Sequence, residues 1–200
     1  MPIRVFSEDE KSDIKEKMFE AGMELIKNYG LTHASVTKIT NAAGIGKSTF
    51  YNFFESKEEF VIELIRYERA KTMEAIHTFL NGREKMTTEE GKRLLHMVIY
   101  HQDSIYQYLT EDDVNNLYPA MQRSGLIEDD LNSDTPQYLL SIMEGVREGV
   151  DAKVFVNFLR MMALCVSQKE ALHQDVLDQN IDMIFEKMFE YIFEESIYKE

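Results

Sequence analysis

Residues Val36–Phe60 read VTKITNAAGIGKSTFYNFFESKEEF, and this stretch decides the fold. Ile39, Ala42 and Ala43 give a short helix, about 36–43, its inner face. Ser35 caps it and Gly44 closes it. The Gly44-Ile45-Gly46 turn leads into a second short helix, from near Lys47 to near Phe53, anchored by Phe50, Phe53 and Phe54. Two short helices about a tight turn predict a helix-turn-helix, whose second helix presents its first turn to the major groove of DNA. That turn carries Lys47, Ser48 and Thr49, followed by Tyr51 and Asn52. A cation, short hydroxyls, a phenol and an amide suit phosphate and base-edge contacts. A surface helix pair with a solvated polar face fits the same residues, so the pattern alone leaves both readings open.

The run AAGIGKSTFYNFFESKEEF, Ala42–Phe60, resembles the signature of the TetR/AcrR regulators. There a glycine turn, a short Thr-aromatic-Tyr helix and an aromatic pair lead to Ser-Lys-Glu. The resemblance is close over the first quarter of the chain and extends to the rest only as a helical layout. It implies an all-α fold: an N-terminal three-helix helix-turn-helix domain, 1–56, joined by a long helix to a C-terminal helical ligand-binding and dimerisation domain, 57–200. It places DNA contacts on Thr37, Lys47, Ser48, Thr49, Tyr51 and Lys57, with Ser35 as the hydroxyl cap. Three positions depart from the pattern: Gly46 where a Ser usually caps the recognition helix, Asn52 where His is common, and Thr40 in place of Ala. These departures bear on operator sequence, not on fold. GIGKST also ends like a phosphate-binding P-loop, but Asn41 stands where the first glycine belongs and no strand precedes it.

The net charge of −14 argues at first against nucleic acid, yet its distribution favours the motif. Residues 1–60 carry 8 Lys/Arg and 10 Asp/Glu, whereas 61–200 carry 14 and 26. Within 34–57, Lys38, Lys47 and Lys57 face Glu55 alone, so the one locally basic stretch coincides with the motif. Nine glycines and three prolines are too few for an all-β chain of 200 residues. No apolar run reaches the roughly 18 residues of a membrane span, and Met1–Glu10 is too polar for a signal peptide. Cys165, the single cysteine, excludes an intramolecular disulfide. The chain reads as cytoplasmic.

Outward from the motif, three capping boxes open helices: Ser7–Glu10 before a helix of about 8–29, Ser56–Glu59 before one of about 57–80, and Thr87–Glu90. Residues 103–121 look helical but broken, with Pro119 near the end, and 122–135 reads as a loop. Thr135-Pro136 starts a helix expected to reach about Gly149, followed by helices over about 152–167 and 172–196.

The last two helices carry wide apolar stripes. Phe155, Phe158, Ile181, Ile184, Phe185 and Met188 are expected at a homodimer interface, as the resemblance implies, with an intrachain core as the alternative. Tyr100, Tyr106, Tyr118, Met121, Tyr138, Met143 and Met162 form an aromatic- and Met-rich set suited to a small, largely apolar effector, though such stripes also build ordinary cores. The implied partners are therefore a double-stranded DNA operator, an effector and a second copy of the chain, with no membrane and no cofactor. Nothing points to catalysis or a metal. Cys165 lies in the apolar run RMMALCV, near His173 only in sequence, and His96 and His101 are spaced off one helical face. A helical interaction module with a vestigial helix-turn-helix stays as the rival reading.

Overall fold

The computed structural model describes residues 7–100, 105–127 and 134–193. Every named element among them is helical, and pairing of extended backbone is confined to two isolated bridges, Met86 with Met143 and Val146 with Phe193. The chain is all-α.

Two compact units emerge. One comprises Met1–Lys71 and Tyr108–Ile127, the other Thr72–Gln107 and Glu128–Glu200. In the first, α1 (Glu8–Tyr29) is opened by the Ser7–Glu10 capping box, with both reciprocal hydrogen bonds formed. A 3-10 turn, Leu31–His33, leads to α2 (Val36–Ala42), α3 (Lys47–Tyr51) and α4 (Lys57–Leu80). The two compact units divide within α4, after Lys71. The reason is burial: Phe60, Val61, Ile62, Leu64 and Ile65 belong to the core of the first unit together with Met18, Phe19, Met23 and Ile26 of α1. That unit also takes in α6 (Glu111–Arg123), whose Leu117 and Ala120 are buried. Its capping box, Thr110 with Asp113, was not expected from the sequence. Pro119 sits inside α6, because the helix begins only at Glu111 and runs past it.

In the second unit, the end of α4 is followed by α5 (Thr88–Tyr100), opened by the Thr87–Glu90 box. Then come α7 (Thr135–Ser141), α8 (Ala152–Ser167) and α9 (Leu177–Ile192). Two expected helices are shorter than their sequence pattern. α7 stops at Ser141 because the backbone turns to a new partner: Met86 N–H donates to Ile142 O at 2.8 Å, and Glu144 N–H donates to Met86 O at 2.9 Å. α9 begins only after 3-10 turns at Lys169–Ala171 and Gln174–Val176. It ends where Arg147 intervenes, its backbone N–H on Ile192 O and its Nε on Phe193 O, both at 2.8 Å. The core of this unit includes Ile76, Leu95, Met143, Phe155, Met162, Ile181, Phe185 and Met188.

Candidate nucleic-acid interface

The geometry of α2 and α3 follows from a few local choices. Ser35 caps α2 by accepting from Lys38 N–H at 3.3 Å. Thr40, the residue at odds with the family pattern, is buried, and its hydroxyl donates to Thr37 O at 3.1 Å. Burying that hydroxyl satisfied costs little, whereas an unpaired one would cost about 1–3 kcal/mol. Gly44 turns the chain with φ of 69°, a conformation open to glycine and strained for most other residues. Ile45 N–H then donates back to Thr40 O at 2.9 Å, closing the turn. Gly46 caps α3 with no side-chain hydrogen bond, as its lack of a hydroxyl dictates.

α3 is too short to be stable alone. Phe50, fully buried, holds it in place. Its ring lies 5.2 Å from Phe54 and 5.4 Å from Phe60, in a cluster that Phe19 joins at 5.8 and 5.6 Å. Edge-to-face contact with Phe50 at 5.4 Å orients Tyr51, which leaves half of its surface exposed. With one face so anchored, α3 turns the rest outward. Lys47, Ser48, Tyr51 and Asn52 are exposed, Thr49 is partly exposed, and Thr37 of α2 is exposed as well. The structure thus brings six of the seven expected contact residues onto accessible surface of one helix-turn-helix.

Lys57 is the exception. Its ammonium turns inward and donates to Leu31 O, and burial holds its pKa below the ordinary lysine value against the pull of Glu58 and Asp113. Asp113 and Thr32, which share this region, were not singled out in the sequence. The Thr110-x-x-Asp113 box was a legible signal for the cap, but nothing in the sequence joins it to Thr32.

The other expected sites fare differently. Phe155, Ile181, Phe185 and Met188 are buried in the chain's own core and offer no surface to a partner; Phe158 and Ile184 are partly buried against that core. Periodicity could not separate the inward from the outward edge of so wide a stripe. The outward apolar residues of α8 and α9 are Val154, Met161, Leu164 and Met183. Of the expected effector set, Met143 and Met162 are fully buried in the second unit's core, with Tyr138 against it. Tyr118, exposed, and Met121 lie on α6 of the first unit. The side chains of Tyr100 and Tyr106 lie outside the described residues, as does His101. Cys165 is half-buried.

These features define a helical protein with an N-terminal helix-turn-helix. The family described as bacterial regulatory proteins, tetR family, matches residues 19–64, from the middle of α1 into α4. The chain is 33% identical over 73 residues to YvdT of Bacillus subtilis, described as an uncharacterized HTH-type transcriptional regulator, covering 36% of this chain and 38% of that protein. It is 28% identical over 79 residues to the fatty acid metabolism regulator protein of the same organism, covering 40% of each. The matches thus span about two fifths of the length of these relatives. In fold, the chain is similar to the fatty acid degradation regulator FadR from Bacillus halodurans, with a TM-score of 0.56 and 17% identity over 94% of this chain and 97% of that one. The helix-turn-helix region of the chain, residues 19–64, is thus similar to that of the tetR family of bacterial regulatory proteins.

Proposed function

We propose that the chain is a homodimeric transcriptional repressor of the cytoplasm that binds a pseudo-palindromic operator and is released from it by a small, largely apolar effector. The observation that carries this reading is α3: a five-residue helix clamped through buried Phe50, with Lys47, Ser48, Thr49, Tyr51 and Asn52 turned outward. In the major groove these side chains contact base edges and phosphates, and Thr37 on α2 reaches the flanking backbone. Residues 1–56 form the reading head and 57–200 the effector-binding and dimerisation part.

Val154, Met161 and Leu164 recur on one side of α8, and Met183 is exposed on α9. These residues form the dimer contact, so that each dimer carries two reading heads related by two-fold symmetry. Effector binding then favours a conformation in which the heads no longer match adjacent grooves; an effector with equal affinity for both conformations would change nothing. Tyr138, Met143 and Met162 remain the effector-contacting candidates of the second unit, and Tyr118 and Met121 those of the first. The surplus of carboxylates over 61–200 favours a neutral or cationic ligand. The name of the fatty acid metabolism regulator brings fatty-acyl compounds into the first test set.

Selection of duplexes from a random library by the purified protein tests the reading. Enrichment of two related half-sites about one or more helical turns apart is the expected result. Failure to enrich any sequence refutes it. Release of the enriched duplex is then assayed with lipophilic cations, neutral hydrophobes and acyl compounds.

A further inference from the structure

Five helices among the described residues are capped by a serine or threonine hydroxyl, and α2 departs from the pattern of the other four. At the third helical position α1, α4, α5 and α6 carry Glu10, Glu59, Glu90 and Asp113, acids that suit the positive end of a helix. α2 carries Lys38 there. The Ser35 hydroxyl accepts from Lys38 N–H at 3.3 Å, but no carboxylate returns the bond, and Ser35 N–H donates to His33 O at 3.1 Å instead. A cation in the first turn works against the helix dipole. The helix alone gives no reason for it.

Nor does a neighbouring acid account for Lys38. No Asp or Glu occurs between Glu24 and Glu55. Lys11 and Lys27 of α1 sit beside Glu8 and Glu24, at 2.7 and 3.8 Å, whereas Lys38 has no ion pair among the described residues. Its ammonium lies over the ring of Tyr29, 5.8 Å from the centroid. Tyr29 ends α1 and is 60% exposed, so the ring holds the charge at the surface and does not draw it into the core. A ring face attracts a cation without neutralising it. The full charge is therefore left for a partner, one residue from Thr37 on the same helix-turn-helix. The amide of Lys38 is taken by Ser35, so the side chain is what is on offer.

We propose that Lys38 is a further contact to the operator backbone, flanking the groove contacts of α3, and that Tyr29 is the positioning residue that aims it. This rests on the DNA-binding reading above. An ammonium binds a phosphate as a point charge and carries no base preference, so the pair strengthens binding to all duplexes alike.

A salt series on the library-selected duplex separates the two roles. One phosphate contact adds about 0.9 to the slope of log affinity against log salt, or about 3.5-fold over an about fourfold change in salt. Full-length wild type is compared with Lys38→Met, Lys38→Arg, Lys38→Glu and Tyr29→Leu. Lys71→Met controls for loss of charge alone: Lys71 lies over the ring of Tyr67 at 5.3 Å in the same unit, but about 21 Å along α4 from its start. Lys38→Met is expected to lower the slope by about 0.9 and to bind about 3–10-fold more weakly. Lys38→Arg and Lys71→Met keep the wild-type slope. Tyr29→Leu keeps the slope and binds about 2–5-fold more weakly. Lys38→Glu binds more weakly than Lys38→Met yet melts higher by about 1–4 °C, because it completes the capping box. A purely structural role for Lys38 cannot produce that opposition of binding and stability. Lys38 and Tyr29 are exposed, so the variants stay folded, which the same melting curves check. Wild-type slope and affinity in Lys38→Met, an equal loss of slope in Lys71→Met, or a lower melting temperature in Lys38→Glu overturns the backbone contact. Wild-type affinity in Tyr29→Leu overturns the positioning role. If wild type binds no duplex, the DNA-binding reading itself falls, and this inference with it.

Discussion

Replacing Gly22 by Ala sets two effects against each other, and the structure decides between them. Gly22 lies in the middle of α1, where alanine is intrinsically preferred by about 1 kcal/mol. On propensity alone the variant is stabilised. A Cβ at this position, however, would stand 2.5 Å from Phe60 Cζ and 2.8 Å from its Cε1. Ordinary contact begins near 3.4 Å, so the ring has to retreat by almost 1 Å. It has nowhere to go, because Phe54, Phe50 and Phe19 surround it at 5.1, 5.4 and 5.6 Å and it is fully buried. Overpacking of such a core costs about 1–3 kcal/mol. With α4 also held through Phe60, we expect the upper part of that range, leaving a net loss of about 1–2 kcal/mol after the propensity gain. For a chain of this size that lowers Tm by about 2–8 °C, measured by far-UV circular dichroism. In a double-mutant cycle with Phe60→Leu, which vacates the space, the combined loss should fall short of the sum by about 1 kcal/mol. A Gly22→Ala variant as stable as wild type, or strictly additive losses, would refute the packing argument.

Lys47→Ala should weaken binding to the selected duplex and lower its salt slope by about 0.9, with Tm unchanged because the residue is exposed; titration by fluorescence anisotropy checks both. Leu164, 60% exposed on α8, should convert the dimer to a folded monomer when replaced by Glu; sedimentation that finds a wild-type monomer, or a Leu164→Glu dimer, contradicts the assigned surface. Tyr67 should be the late-titrating tyrosine. Burial and the hydrogen bond that its hydroxyl donates to Glu16 at 2.9 Å raise its pKa from 10.0 to about 12. Since the folded state keeps a proton that the unfolded state loses, this contribution to stability is complete below pH 10 and disappears as pH rises through about 12. Alkaline denaturation of Tyr67→Phe should lack that component, and ultraviolet titration should show one fewer late phenol.

Much of the first unit was legible because local chemistry specifies it. Ser7–Glu10, Ser35, Gly44 and the aromatic run Phe50, Phe53 and Phe54 place helix ends and anchors within a few residues of themselves, and α1, α2 and α4 begin where those signals put them. The outward face of α3 followed from the same anchors. The contact of Lys57 was not legible because its partner is a backbone carbonyl, Leu31 O, which leaves no trace in side-chain pattern. Asp113 was missed because its second contact, Thr32, is distant in sequence. In the second unit, α7 and α9 were drawn too long. Their apolar periodicity continues past Ser141 and before Leu177, while the backbone is diverted by Met86 at one place and by 3-10 turns at the other. The dimer residues were chosen from stripes whose inner edge, Phe155, Ile181, Phe185 and Met188, is core.

The most direct test of the central claim is the affinity of Tyr51→Ala for the library-selected duplex, compared with a duplex of scrambled half-sites. Tyr51 is half exposed, so its removal leaves the aromatic core of Phe50, Phe54 and Phe60 in place. If α3 reads the groove, wild type discriminates strongly between the two duplexes, and the variant loses about tenfold or more on the selected one while its weak affinity for the scrambled one changes far less. Equal affinity of wild type for both duplexes, or undiminished discrimination by a folded Tyr51→Ala, would contradict the account.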